Sequence, residues 1–351
     1  MRILNLVENT EGAAHCPAEH GLCFYIETEH HKLLMDTGQS ELLLKNADTL
    51  GVDLSQVDTV VISHGHYDHG GGLEAFFSVN EKAKVYIQKT AQGAFYSIGY
   101  PGEEAHYIGL SEKVLSSERV FWVEGDLCLD EELSLFAHIG HKHPLSSANG
   151  TLKVKRGEEL IQDDFCHEQC LVIREGEKLF LFSGCAHHGI LNVLARFQEL
   201  YGRAPDAVLS GFHLRKKAGY TEEDAKDFVA LAYALKEYPT TFYTGHCTGV
   251  EPFEILKSHL GDQLIYVHCG DEVVLGEEKK MGGEANEAQA EVEAEGREQE
   301  QKGTKAEEKK KEKKPETHRK RRKTFMKWHK FFAWATVVCF ILTMLTGYKK
   351  K

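Results

Sequence analysis

The 351-residue chain carries 42 Lys and Arg against 54 Asp and Glu, and its net charge of −12 conceals a split. Residues 277–351 hold 20 basic and 13 acidic side chains, or +7, which leaves 22 against 41, or −19, on residues 1–276. A body of that sign argues against a nucleic-acid binder, because phosphate contacts need Lys and Arg, and 42% apolar content with 18 Phe and 13 Tyr excludes general disorder. The nine cysteines form no CxxC pair, and the opening MRILNLVENTEG has no apolar signal-peptide core. Reduced thiols in a cytosolic compartment are therefore expected. Cys166 and Cys170, with His167 between them, read as ordinary thiols and not as a metal-binding fragment.

In chain order, CFYIETEHHKLLMDTG predicts a hairpin, with Leu22 to Ile26 and Leu33 to Met35 as strands and Asp36 at the end of the second. SELLLKNADTLGV has helical spacing and stops at Gly51. VDTVVISHGHYDHGGGL follows, a buried strand from Thr59 to Ile62 that runs into a histidine-rich loop and three glycines. The same grammar recurs in KAKVYIQ, ERVFWVEG, QCLVIREGEKLFLFSGCAHHGILNVLARFQELYG, PDAVLSGFHL, TEEDAKDFVALAYALKEY, TTFYTGHCTG and LIYVHCGDEVVLG. Strand ends deliver histidines repeatedly. Strands in runs with interposed helices predict an α/β arrangement of sheets covered by helices.

Composition changes near Gly276. Residues 276–326 are too poor in large apolar side chains to fold alone and are expected to form a charged, disordered linker. Residues 327–348 are expected to form one transmembrane helix: the run from Phe331 to Tyr348 is free of charge, and its helical length of about 27 Å just spans a bilayer core. The basic flank from Arg319 to Lys330 outnumbers the three terminal lysines, so residues 1–275 are expected to form a catalytic domain on the cytoplasmic face of the cell membrane.

The chemistry concentrates in SHGHYDHGGG, where His64, His66, Asp68 and His69 fall within six residues. Residues two apart on a strand end point the same way, so His64 and His66 can grip one ion while the turn swings Asp68 and His69 toward a second. This H-x-H-x-D-H pattern, with Asp36 of MDTG upstream, resembles the metallo-β-lactamase superfamily. AEHGLCFYIE, LLMDTGQS, LFSGCAHHGILN, SGFHL and TGHCTG occur in the order found in its dihydropterin-methyl ribofuranosylaminobenzene phosphate synthase subgroup. The resemblance spans residues 1 to about 275 and implies a four-layer αββα sandwich with a dinuclear site at one sheet edge.

It also implies a ligand set: His64, His66 and His187 on the first metal, Asp68, His69 and His246 on the second. His188 is taken as a neighbour. His213 of SGFHL stands open between a site residue that binds substrate or transfers protons and a satisfied core histidine. His20 resembles the HGLS element of the family but lies far upstream and ranks lower. Cys185 occupies the place where many members have a bridging carboxylate, either coordinating as a thiolate or merely lining the site, so occupancy of the second position is left open. An all-imidazole first site favours zinc, one or two ions, with manganese or iron as alternatives.

Such ions lower the pKa of bound water and stabilise developing negative charge, while Asp68 can accept a proton. A metal-dependent hydrolase or related transferase is expected, acting on a small, anionic ester- or phosphate-type molecule, with membrane lipid as a partner through the C-terminal helix and no nucleic acid. The alternatives are a pterin-related synthase with the same metal site and a membrane-anchored metal-binding module without turnover. Loops between Lys89 and His143 are expected to wall the pocket. Superfamily membership does not fix the substrate, and the sequence is silent on oligomeric state.

Overall fold

Apolar runs as continuous as KLLM, TVV and KLFLF are explained by burial on both faces. The computed structural model describes residues 1–99 and 104–276, and within them those runs are strands of two seven-stranded sheets. In the first sheet Leu4, Leu6, Leu34 and Val60 point to a core shared with Leu43, Leu73 and Phe76 of covering helices. Their strand neighbours Ile3, Leu33, Met35 and Val61 point the other way, to a core shared with Leu171, Ile173, Phe180 and Phe182 of the second sheet. On its far side the second sheet turns Val172, Leu181 and Val208 toward Val193, Phe197, Phe228 and Leu256 of three more helices. Three cores separate four layers, helix, sheet, sheet, helix. The alternation has period two, as a pleated strand requires.

The two sheets repeat one construction. In the first, Lys32–Met35, Thr59–Val61, Lys84–Gln88 and Val120–Val123 run parallel, with helices Leu42–Thr49 and Leu73–Val79 in the first two crossovers. In the second, Lys178–Phe182, Ala207–Leu209, Thr241–Thr244 and Leu264–Tyr266 run parallel, with helices Ile190–Tyr201, Glu222–Lys236 and Val250–Leu260 between them. Thr221 begins Glu222–Lys236 with a capping box to Asp224, which satisfies two otherwise orphaned amides. Consecutive parallel strands place their C-terminal ends along one edge, the location at which α/β sheets bind ligands.

The expected hairpin forms between Cys23–Glu27 and Lys32–Met35. Two features were not read from the sequence. Arg2–Val7 is a strand paired on one side with Cys23–Glu27 and on the other with the last described strand, Glu272–Val274. A separate four-stranded sheet joins Phe95–Ser97, His106–Tyr107, Leu152–Arg156 and Glu159–Gln162, so the segment expected as loops is partly β. Strands of two to five residues leave too little alternation to detect.

The chain divides into Met1–Glu277 and Glu278–Lys351. The membrane helix expected at 327–348, and the linker expected at 276–326 apart from Gly276, lie outside the described residues. Among the described residues no helix is long and apolar enough to cross a membrane.

Candidate metal centre

The C-terminal strand ends supply the donors. His64, His66, Asp68 and His69 follow Thr59–Val61, Cys185 and His187 follow Lys178–Phe182, His213 follows Ala207–Leu209, and His246 follows Thr241–Thr244. Asp36, just past Met35, is fully buried and left-handed at φ 62°. Its carboxylate accepts the Ser63 amide at 2.7 Å, the Ser63 hydroxyl at 2.7 Å and Nδ1 of His69 at 2.6 Å. Because the Ser63 hydroxyl donates to Asp36, it accepts from Nδ1 of His64 at 2.8 Å. Both rings are thereby fixed with Nε2 toward the centre, the usual way a carboxylate or hydroxyl orients a metal-binding imidazole.

His187 and His246 are held by a repeated device. Nδ1 of His187 meets Oδ1 of Asn149 at 3.1 Å while the same amide donates to the His187 carbonyl at 2.7 Å. Nδ1 of His246 meets Oδ1 of Asn9 at 2.9 Å while that amide donates to the His246 carbonyl at 3.4 Å. The backbone amides of the two residues donate to buried carboxylates, Glu168 at 2.7 Å and Glu8 at 2.5 Å. Four Nε2 atoms then face each other in pairs, His64 to His187 at 3.2 Å and His69 to His246 at 3.2 Å.

These distances test the fit of a metal. Two imidazole nitrogens bound to one tetrahedral zinc stand about 3.3 Å apart, which is the spacing of both pairs. Nε2 of His66 is buried without a hydrogen-bond partner, its ring 4.6 Å from that of His64 and 5.0 Å from that of His187. Donor atoms lie within 4.8 Å of one another in His64, Cys185 and His187, in His69, Cys185 and His246, and in His20, Asp68 and His246, whereas His66 groups with Asp163 and His167, so candidate donors for two ions are present. Oδ2 of Asp68 lies 3.4 Å from Nε2 of His246 and 3.7 Å from Nε2 of His69.

Charge follows the same division. Burial presses His66 down to about 3 and holds His64 and His187 well below the ordinary imidazole range, so the first set is neutral and ready to ligate. Burial also opposes charge on His69, yet Asp36 and Asp68 lift it to about 9. Asp68 stays well below the ordinary carboxyl range despite its burial, because His69, His20 and His246 surround it.

Sequence reading ranked His20 low and left His213 and Cys185 open. Nε2 of His20 is 3.2 Å from Oδ2 of Asp68, and its ring stacks on His246 at 5.2 Å, so His20 belongs to the site. The ring of His213 is 4.2 Å from that of His187, and neither ring nitrogen has a hydrogen-bond partner, so it is no satisfied core histidine. Cys185 is buried, with Sγ 3.2 Å from Nε2 of His69. Cys166 is exposed and Cys170 buried, away from the donors, but His167 between them reaches the site. Its Nδ1 accepts the Gly65 amide at 3.0 Å and its Nε2 meets Asp163 at 3.1 Å, pinning the peptide between His64 and His66. Phe95 packs edge-on to His66 at 5.8 Å, and Phe165 stacks on His187 at 4.6 Å.

His188, taken as a neighbour, turns away from the donors to Glu168, 2.6 Å from its Nδ1. Beyond Phe165 these two residues line a cavity of about 800 Å³ with Lys89, His138 and His141. Lys89, His138 and His141 belong to the segment expected to wall the pocket, but Phe165, Glu168 and His188 do not, and none of the histidines of the metal centre lines this cavity. Asn9, Asn149, Asp163 and Glu168 were missed because none carries a motif, and His167 was set aside with Cys166 and Cys170; only proximity to a strand-end histidine identifies them.

An αββα sandwich with paired histidine sets on its strand-end edge defines a class. The chain belongs to the metallo-β-lactamase superfamily, whose family model matches residues 16–222. It is similar to the 7,8-dihydropterin-6-methyl-4-(β-D-ribofuranosyl)-aminobenzene-5′-phosphate synthase of Methanocaldococcus jannaschii, 27% identical over 278 residues, covering 72% of this chain and 89% of that protein. A second protein of that organism is 27% identical over 264 residues, covering 72% and 92%. Among solved structures it is similar to Tm1679, a metal-dependent hydrolase of the β-lactamase superfamily, with 29% identity, TM-score 0.66, and coverage of 79% of this chain and all of that one.

Proposed function

We propose that this chain is a metal-dependent hydrolase that uses activated water on a small, anionic ester- or phosphate-type substrate. The observation that carries this reading is the pairing of four imidazole Nε2 atoms at 3.2 Å beside the unpartnered Nε2 of His66 and the carboxylate of Asp68. When bound, divalent ions there supply Lewis acidity and make water nucleophilic near neutral pH. The rest falls to the chain. Asp36, Ser63, Asn9 and Asn149 fix the ring tautomers. Asp68 is placed to take a proton and pass it to His20, whose side chain is 43% exposed and opens to solvent. His213, with free ring nitrogens beside His187, is placed to hold a substrate oxygen. Metal analysis of His66→Ala tests the assignment, since stoichiometric zinc retained in that variant would sink it. A panel of phosphoesters, thioesters and lactones then reads the reaction.

The similarity to the M. jannaschii synthase favours a second reading, a pterin-related synthase on the same site. An assay for the compound in that protein's name separates the two. Turnover of nothing in either assay, with metal bound, would leave a metal-binding module. Membrane attachment through 327–348 is a proposal from the sequence alone: deleting those residues is expected to move the protein from the membrane pellet to the supernatant.

A further inference from the structure

We propose that the cavity beyond Phe165 is a further cation site, separate from the metal centre, which takes a zinc- or nickel-class ion on Nε2 of His188 and the ring of His141. His188 already stands as a ligand does. Its Nδ1 meets Oε2 of Glu168 at 2.6 Å and its amide donates to the same oxygen at 3.1 Å. The buried carboxylate thus fixes the ring and leaves Nε2 for the cavity, the arrangement by which carboxylates orient metal-binding imidazoles. Asp36 treats His69 the same way at the centre. No described residue hydrogen-bonds to Nε2 of His188 or to the ring of His141. The two rings lie 5.2 Å apart with 35° between their planes, close to the 4.6 to 5.0 Å that separates ring pairs at the centre.

The segment that carries His141 is anchored at both ends. The Ala137 amide donates to Asp126 at 2.8 Å, and Asp126 is held in turn by Arg196 at 2.7 Å. Asn192 accepts the His143 amide and donates to the His143 carbonyl, both at 2.8 Å. Between these anchors His138 is left-handed at φ 54°, a cost tolerated where the surroundings over-determine the backbone. Its ring lies against Gly125, where a Cβ would stand 2.6 Å from Nε2. Gln88 brackets that glycine, donating to its carbonyl at 2.8 Å and accepting its amide at 3.1 Å. Gly140 has open space around it, which leaves room for His141 to shift.

Charge decides the sign of the ligand. Glu124, Asp164 and Glu168 line the cavity against Lys89, and Lys89 is taken by Glu124 at 2.6 Å. Asp164 accepts the Cys166 amide at 3.1 Å and keeps lone pairs for a cation. An anion would meet a surplus of carboxylates, whereas a cation is drawn in. Imidazole donors then select a zinc- or nickel-class ion over magnesium or calcium, which prefer oxygen. Among the described residues three donor atoms do not converge within 4.8 Å here as they do at the centre. The ion therefore closes the site by drawing His141 toward His188, with Asp164 and water completing its shell. The two sites share no donor, so either can be lost while the other stays.

The test is equilibrium dialysis of the full, untagged chain against zinc. Wild type is expected to bind one ion more than His141→Ala, and His188→Gln should lose that same ion. His30→Ala, which removes an exposed histidine elsewhere, should keep it. Excess nickel should displace the ion and excess magnesium should not. Because the reading is a difference between variants, it holds whatever number of ions the centre retains: adding His141→Ala to His66→Ala should still remove one more. Turnover enters none of these readings, so the hydrolase assignment can fail without this one. Should His188→Gln fail to fold, His141→Ala carries the test, since His141 is exposed. Diethyl pyrocarbonate modification of the native chain, mapped by peptide mass, adds a measurement without any variant: His141 is expected to react in the zinc-free chain and to be protected in the zinc-loaded one. Equal zinc stoichiometry in wild type and His141→Ala, the same loss in His30→Ala, displacement by magnesium as readily as by nickel, or equal reaction of His141 with and without zinc would each overturn the proposal.

Discussion

Asn149 and Asn9 each spend one amide on both ends of a histidine, fixing ring and backbone together. Removing such an orienting partner costs about 10–100-fold in metal affinity. Asn149→Ala is therefore expected to weaken the first ion and Asn9→Ala the second, with little change in far-ultraviolet circular dichroism; titration calorimetry reads both. Titration behaviour is set by single residues too. In the metal-free chain His69, raised to about 9, is charged at neutral pH, whereas His66, lowered to about 3, is not. Ion binding must expel the His69 proton, so apparent affinity should rise with pH and level off near 9, and calorimetry in buffers of different ionisation heat should show that release. The linkage signs oppose each other: His69 stabilises the metal-free fold below its unfolded pKa of about 6.5 and loses that contribution as pH rises to about 9, while His66 costs stability as pH falls below about 6.5. Of these residues, His64, His66, Asp68 and His69 were legible because they crowd one loop. Asn9 stands 237 positions from its histidine, and Cys185 shows its central place only when strands far apart in sequence are laid side by side.

A parallel strand with a helical crossover has one free end, and here each such end carries part of the centre. This was legible as apolar runs terminating in histidine, because burial on both faces writes an uninterrupted signal. The small sheet was not, and it matters, since Phe95 of Phe95–Ser97 closes over the His64–His66 loop. A Cβ on Gly65 would approach the Phe95 ring to 2.8 Å and the Ala91 carbonyl to 3.1 Å. Gly65→Ala is expected to shift the loop and lower occupancy of the first ion, and Phe95→Ala in the same chain should restore part of it. Metal analysis of the two single variants and the double variant checks this; simple additivity would show that the ring and the loop are not coupled. Helix Ile190–Tyr201 has a comparable duty on the other sheet. It starts three residues after His187, and Gly189, left-handed at φ 84°, makes the turn between them.

For the molecule as a whole, the −19 of residues 1–276 should draw in cations and slow the approach of anions. Raising ionic strength is therefore expected to increase kcat/KM for an anionic substrate and leave a neutral analogue unchanged. A chain ending at Gly276 should keep the metal stoichiometry and melting temperature of Met1–Glu277, whereas one ending at Gln263 should lose the second ion, because it lacks Leu264–Tyr266 and Glu272–Val274. The clamp of Glu8 and Asn9 on His246 also has a meaning in time. During synthesis His64, His66 and His187 emerge with much of the chain still to come, but His246 meets its N-terminal partners late, and Glu272–Val274, which settles beside Arg2–Val7, comes last of the described strands. A nascent chain can hold half a centre, and the second ion becomes the seal on a finished fold, so cells short of metal should accumulate a protein in which Arg2–Val7 and Glu272–Val274 have not been locked together.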